Sequence, residues 1–386
     1  MKKVAIVTTT RAEYGLLYPV ISKLREREDK QFLVKLIVSG THLSENYGLT
    51  VKEIENDNVR IDYRIAIPTD SKDACDISNN QAETLKEFTC LFSREQFDAV
   101  VILGDRYEML AVAIAAGNTH TPIFHLCGGD TTEGAIDEWI RHSITKMSYA
   151  HFVTNEESRR RVIQMGENPN RVFNYGSPGI DNIRACPLME KSEALKSVGL
   201  KDCHYALCTY HPVTLDKKDV SVLMEDFFKV IKANSDIEFI VTKSNADQGG
   251  EYINSLLDEA DKETNNLHVF SSLGVKRYLS LMQHAEFVLG NSSSGILEAP
   301  SMHIPTINIG SRQRGRLRAK SVIDCGEDSE SIEYAIRKAR SAEFKQTCLE
   351  SQSPYGDGHA SEKIATEIYK ILRHGNIQLC KKFYDL

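Results

Sequence analysis

No run of apolar residues in this chain approaches the length of a membrane span, so no membrane-embedded function is expected. Nine cysteines occur, but none forms a C-x-x-C pair or part of a repeating framework, which removes the usual signature of a disulfide scaffold. Cys203, His204, Cys208 and His211 come close together without zinc-finger spacing, and no metal is expected there. No G-x-G-x-x-G follows any strand-like run, which weighs against a nicotinamide or flavin dinucleotide. A P-loop is missing as well: in the most serine-rich loop, Ile296 and Leu297 stand where Lys and Ser/Thr are required. Excess positive charge is also lacking. The balance of 47 Lys and Arg against 54 Asp and Glu gives −7, which argues against broad nucleic-acid binding. Short-period repeats and low-complexity tracts are absent. Met1-Lys2-Lys3 leads directly into strand-like Val4-Ala5-Ile6-Val7, so no signal peptide, reduced thiols and a cytoplasmic location are expected.

What is present is a regular alternation. With 386 residues, 41% apolar and 26% charged, the chain is long enough for two domains with cores of their own. Val- and Ile-rich runs at 4–8, 32–39, 98–103, 122–126 and 151–154 alternate with helical patterns at 14–27, 81–96, 106–116, 137–147 and 156–165. The turn-rich Tyr175-Gly176-Ser177-Pro178-Gly179 is the best linker candidate, and a second alternating set follows at 205–209, 238–242, 268–270, 286–289, 306–309 and 321–325. The expected fold class is α/β: two doubly wound Rossmann-like domains facing a cleft. Residues 1–176 form the first, completed by the terminal helix at 361–386, and residues 177–360 form the second. In such sheets ligands bind beyond the carboxyl ends of the strands, so candidate residues belong in the strand-following loops.

They cluster there. Phe287-Val288-Leu289 ends in Gly290-Asn291-Ser292-Ser293-Ser294-Gly295, which reads as strand, tight loop and helix. Small residues, hydroxyls and free amides at a helix start suit a diphosphate, although an ordinary serine cap reads similarly. Glu298, about one turn on, would accept hydrogen bonds from a ribose diol. After the first strand, Arg11 could neutralise a phosphate and Glu13 could orient it, or the two could simply cap and pair at a helix start. Asp105 follows Gly104 at a strand end. The stretch from His125 to His142 crowds Asp130, Glu133, Asp137 and Glu138 beside Arg141; Asp137 and Arg141 could form an i,i+4 pair. Mutual repulsion of Asp105, Asp130, Glu133 and Asp137 would raise one carboxyl into the range useful for proton transfer. Pro212 holds His211 extended, and Arg312, Arg314 and Arg316 form a loop able to meet a leaving pyrophosphate. Trp139 and its helix mark a candidate interface, with a homodimer or homotetramer expected.

Eight pieces in order, T-x-T-R-A-E-Y-G, L-G-D-R-Y-E-M, H-x-x-G-G-D, G-A-I-D-E-x-I-R-H-x-I-T-K, Y-H-P-V-T, G-N-S-S-S-G-I-x-E, I-N-I-G-x-R-Q-x-G-R and P-Y-G-D-G, resemble the hydrolysing UDP-N-acetylglucosamine 2-epimerases of sialic and related nonulosonic acid biosynthesis. The resemblance covers nearly the whole chain. It implies a glycosyltransferase-B-like fold, with UDP held mainly by the second domain. It also implies elimination of UDP across C1–C2 to a glycal-like intermediate, then hydration that inverts C2 and frees the sugar. Such a reaction requires no metal or redox cofactor. The substrate is then UDP-N-acetylglucosamine or a UDP-2,4-diacetamido-6-deoxy relative. Position by position, Asp105 and Asp137 fall on catalytic carboxylates, and His211 on a histidine near the leaving group. Arg11, Ser293, Ser294 and Glu298 fall on nucleotide contacts. One position departs: several relatives carry Glu where this chain has Cys127, and Asp130 or Glu133 is the candidate substitute. The rivals are a non-hydrolysing epimerase, a glycosyltransferase of the same fold and an inactive sugar-nucleotide sensor.

Overall fold

A computed structural model describes residues 1–69, 73–131, 136–212, 220–244 and 250–386. The described chain forms two compact units, Met1–Asn182 with Tyr355–Leu386, and Ile183–Pro354. The strands of the first are β1 (Lys2–Thr8), β2 (Phe32–Ser39), β3 (Tyr63–Ile65), β4 (Ala99–Leu103), β5 (Ile123–Leu126), β6 (Ala150–Val153) and β7 (Val172–Asn174). Those of the second are β8 (Tyr205–Thr209), β9 (Glu238–Thr242), β10 (Leu267–Phe270), β11 (Phe287–Gly290), β12 (Thr306–Ile309) and β13 (Val322–Cys325). The sheet orders are β3-β2-β1-β4-β5-β6-β7 and β10-β9-β8-β11-β12-β13, with every strand-to-strand pairing parallel among the described residues. Each sheet is doubly wound, and the strand order reverses between β1 and β4 in one and between β8 and β11 in the other.

The apolar runs become strands because both faces are covered: Val4–Val7 and Ala99–Ile102 are fully buried, as the sides of a parallel sheet require. β3 and β7 escaped the sequence reading. Each is three residues long at a sheet edge and carries exposed side chains, so neither makes an apolar run. The helix Arg11–Arg25 starts three residues before the expected 14, because Thr10 caps it. Pro19 lies inside that helix and has no N–H for the Gly15 carbonyl. The Asn182 amide donates to that carbonyl at 2.6 Å instead.

The closing segment belongs to the first unit for a packing reason. Ile364, Ile368 and Leu372 of the helix Ala360–His374 join Leu17, Val20, Leu24, Phe32 and Val34 in one buried cluster. The Asp181 carboxylate accepts the Ala360 N–H at 3.1 Å and the Ser361 N–H at 2.5 Å, satisfying two amides at that helix's start. Beside it Gly176, at φ +91°, lies so close to the returning chain that a Cβ would stand 2.6 Å from the Tyr355 carbonyl oxygen. No helix among the described residues is long and apolar enough to cross a membrane.

Candidate functional site

In the first unit the loops after β1 and β4 lie at the point where the strand order reverses. Thr10 and Glu13 form a reciprocal capping box: the Thr10 hydroxyl accepts the Glu13 N–H, and Glu13 Oε2 accepts the N–H groups of Thr9 and Thr10. Of the two readings open for Glu13, the structure carries the capping one. Its Oε1 is shut off from solvent with no hydrogen-bond partner among the described residues. Burial pushes its carboxyl up to about 7, against the opposing pull of Arg106 and the Thr9 N–H. Arg11 is exposed at the helix start, 3.7 Å from Glu53.

Asp105 follows β4, and its carboxylate accepts two hydrogen bonds from Arg141, that from Nε at 2.8 Å. Arg141 is almost wholly buried. Its Nη1 also donates to the main-chain oxygen of Asp130 at 2.8 Å and to Glu138 at 3.0 Å. Burial opposes charge on this guanidinium, but Asp105, Asp130 and Glu138 outweigh it and hold its pKa above the ordinary value. The mutual repulsion expected of the acids is therefore answered by a buried cation, to which Asp105 and Glu138 both bond. Asp137 opens the helix Asp137–Met147, half-buried. Asp130 Oδ1 is held by the hydroxyls of Thr154 and Ser158 and the amide of Asn155. Glu133 lies outside the described residues. Cys127 has φ +60° and donates its N–H to the Phe152 carbonyl at 2.8 Å.

In the second unit the corresponding loops follow β8 and β11. The serine loop does not open an extended helix. Residues Ser294–Leu297 make one turn, Glu298 ends it, and a tighter turn at Ala299–Met302 follows. Pro300 has no amide hydrogen to continue the α-helix. A helix dipole is thus a minor resource here, and the loop offers hydroxyls and single amides. The Ser294 hydroxyl meets Tyr278 at 2.6 Å and Ser292 at 3.1 Å, while Ser293 makes no side-chain hydrogen bond among the described residues. Burial pushes the Tyr278 hydroxyl up to about 12. Gly295 packs its backbone on Thr306, where a Cβ would stand 2.8 Å from a methyl group.

Asn291 was expected to touch the nucleotide, but its amide is occupied. Oδ1 accepts the His211 N–H at 2.7 Å and Nδ2 donates to the His211 carbonyl at 2.8 Å. The main-chain oxygen of Asn291 takes Arg312 at 3.0 Å and Gln313 at 2.8 Å. Arg316 is near enough to Glu298 to lower its pKa, whereas Arg314 is exposed. The arginine loop thus divides: Arg312 braces the serine loop, Arg316 faces the carboxylate, and Arg314 points to solvent. Cys208 is buried within β8, while Cys203 and His204 precede it and His211 lies beyond its end, with His204 paired to Glu286.

Glu298 is half-buried, and its Oε2 has neither solvent nor, among the described residues, a hydrogen-bond partner. Burial raises its carboxyl from 4.5 to about 7, only partly offset by its own main-chain N–H and Arg316. Between those values the folded state holds a proton that the unfolded state has lost, so stability falls as pH rises through the window. Glu298→Gln is therefore expected to raise the melting temperature of the unliganded protein at pH 8, by about 2–6 °C for about 1–2 kcal/mol. At pH 4.5 the gain should vanish. Calorimetric scans at both values check this, and an equal shift at both pH values would deny the buried charge.

Several residues at these loops were not singled out by the sequence reading. Arg141 was visible only as a helix pair for Asp137, because its link to Asp105 spans 36 positions. His125 is fully buried, with Nε2 2.8 Å from the Gly104 carbonyl just before Asp105. Burial lowers its pKa to about 3, so the ring is neutral and donates to that carbonyl. Tyr278 and Ser244 carry no sequence signal at all.

Two doubly wound parallel sheets with the polar loops at their strand ends define a two-domain α/β protein with a GT-B-like fold. Residues 24–369 match the family model described as UDP-N-acetylglucosamine 2-epimerase. The chain is 39% identical over 100% of its length, and 99% of the other's, to the GDP/UDP-N,N'-diacetylbacillosamine 2-epimerase (hydrolyzing) of Campylobacter jejuni subsp. jejuni. It is 36% identical, over 100% of its length and 98% of the other's, to the polysialic acid biosynthesis protein P7 of Escherichia coli. The solved structure of Methanocaldococcus jannaschii UDP-GlcNAc 2-epimerase, in complex with UDP-GlcNAc and UDP, matches 95% of this chain and 99% of its own with a TM-score of 0.76. At 20% identity that likeness speaks for the fold alone. The chain belongs to the UDP-N-acetylglucosamine 2-epimerase family.

Proposed function

We propose that this enzyme is a hydrolysing UDP-sugar 2-epimerase. It takes UDP-N-acetylglucosamine or a UDP-2,4-diacetamido-6-deoxy relative to UDP and the free C2-inverted sugar, on the route to a nonulosonic acid. The observation that carries most weight is Asp105: a carboxylate at the end of a central strand, oriented by a buried arginine, in a chain related over its full length to an enzyme named as hydrolysing. The C2 proton of the sugar is only weakly acidic, so its removal must accompany departure of the C1 oxygen. That demands a carboxylate at the sugar and cations or hydroxyls at the diphosphate. Asp105 and Asp137 are the proton-transfer pair, Arg141 orients Asp105, and His211 acts at the leaving group. Arg11, Ser293, Ser294, Arg312 and Arg316 hold the diphosphate, and Glu298 accepts from the ribose. Asp130, whose Oδ1 accepts from Thr154, Asn155 and Ser158, or Glu133 takes the place of the acid absent at Cys127.

The test is a panel of nucleotide sugars incubated in heavy water, with products identified by mass spectrometry. The expected product is free sugar carrying one deuterium at C2, together with UDP. Release of sugar that keeps its original C2 hydrogen would sink the elimination mechanism. Recovery of an epimerised UDP-sugar would make the enzyme non-hydrolysing.

A further inference from the structure

At the carboxyl ends of the adjacent strands β8 and β9, two asparagine side chains make the same pattern. Asn291 accepts from His211 N and donates to His211 O, as described. Asn254, on the helix Gly250–Glu263, accepts the Ser244 N–H at 2.8 Å and donates to the Ser244 carbonyl at 3.2 Å. Each amide stands in for a neighbouring strand, satisfying both main-chain groups of one residue just past a strand's end. The two clamped residues then meet: His211 Nδ1 is 3.1 Å from the Ser244 hydroxyl. Both are more than nine-tenths buried. Asn291 is itself fixed, since it is fully buried and its N–H reaches the Thr209 carbonyl at 3.2 Å.

We propose that Asn291 and Asn254 are paired positioning residues for His211. One holds its main chain; the other holds the serine whose hydroxyl sets the ring. The contact of Nδ1 with Ser244 fixes the rotation of the ring. The inference rests on the role given to His211 above. Asn254 is the telling member of the pair, because it reaches the imidazole only through Ser244 and lies on a partly exposed helical position. A small rotation of a positioned group is costly to a reaction that depends on its alignment.

A double-mutant cycle tests this. Asn254→Ala and Asn291→Ser are each expected to lower kcat/KM about tenfold in the parent protein and to cost nothing further in a His211→Ala background. There the ring to be positioned is gone. Equal losses in both backgrounds, or parental kcat/KM in Asn254→Ala, would overturn the proposal. Should Asn291→Ser fail to fold, the Asn254→Ala cycle decides. Nitrogen NMR of the His211 ring gives a readout independent of turnover. In Asn254→Ala the Nδ1 and Nε2 shifts are expected to move, and an unchanged ring spectrum overturns the clamps. Parental turnover in His211→Ala would instead remove the role given to His211, and the ring spectrum alone would then judge the clamps.

Discussion

Asp105→Asn is expected to cut turnover by about 10²-fold or more while leaving UDP affinity within about threefold of the parent. The substitution keeps the shape of the side chain and removes the charge that proton transfer needs. It also weakens the partner of Arg141, whose guanidinium is almost wholly buried and keeps Glu138 and the Asp130 carbonyl. Some loss of stability is therefore part of the expectation. Leaving a buried ion short of a partner costs on the order of 1–3 kcal/mol, less than for a fully enclosed pair because Asp105 is itself partly exposed. Single-turnover kinetics below the variant's melting temperature separate the two effects. Asp137→Asn should match it in turnover, and a parental rate in both variants would strip the two acids of their proposed roles. UDP titration by calorimetry completes the measurement, because nucleotide affinity lost together with turnover would mean that the loop after β4 shapes the nucleotide site.

Gly290→Ala is expected to destroy the second unit's fold or lower its melting temperature by about 10 °C or more. Gly290 pairs with Thr209 across the central strands β11 and β8, and it has φ +135°, a region L side chains rarely enter. A Cβ there would stand 2.0 Å from the Thr209 carbonyl oxygen and 2.8 Å from its carbon. Backbone cannot yield as a flexible side chain does, so strain and overpacking add to about 4 kcal/mol or more. Even a partial shift would carry Asn291 with it, and with Asn291 the His211 main chain, Arg312 and Gln313. Circular dichroism and thermal scans of Gly290→Ala test the claim. A soluble variant melting with the parent would show that the strand ends can move apart at no cost and would overturn the expectation.

The places where expectation and structure parted share a cause. β3 and β7 were missed because an edge strand of three residues needs no apolar run, so local pattern holds no trace of it. The helix expected after the serine loop is a single turn, Ser294–Leu297, because Pro300 has no amide hydrogen to continue it. Glu13 and Glu298 emerged as the carboxyls raised to about 7, and the cause in each is burial. Burial of one oxygen atom is a property of packing that spacing along the chain does not express. The acids around Asp105 looked self-repelling in sequence because Arg141 was counted as a partner for its helical neighbour.

What the sequence determined by itself was the alternation of buried strands with amphipathic helices. From this came two parallel sheets and the loops in which chemistry had to lie, since a β-strand covered on both faces and a 3.6-residue apolar period are local facts. Motif order went further and located Asp105, His211, the serine loop and the arginine loop at strand ends. Only the tertiary structure decided which polar groups are spent on one another. Asn291 looked like a ligand contact and is a clamp on a residue 80 positions away. Arg141 looked like a helix pair; it has a helical partner in Glu138 and also holds Asp105, 36 positions away. A hydrogen bond joins whatever the fold brings within about 3 Å, and the fold sets that distance without regard to separation along the chain.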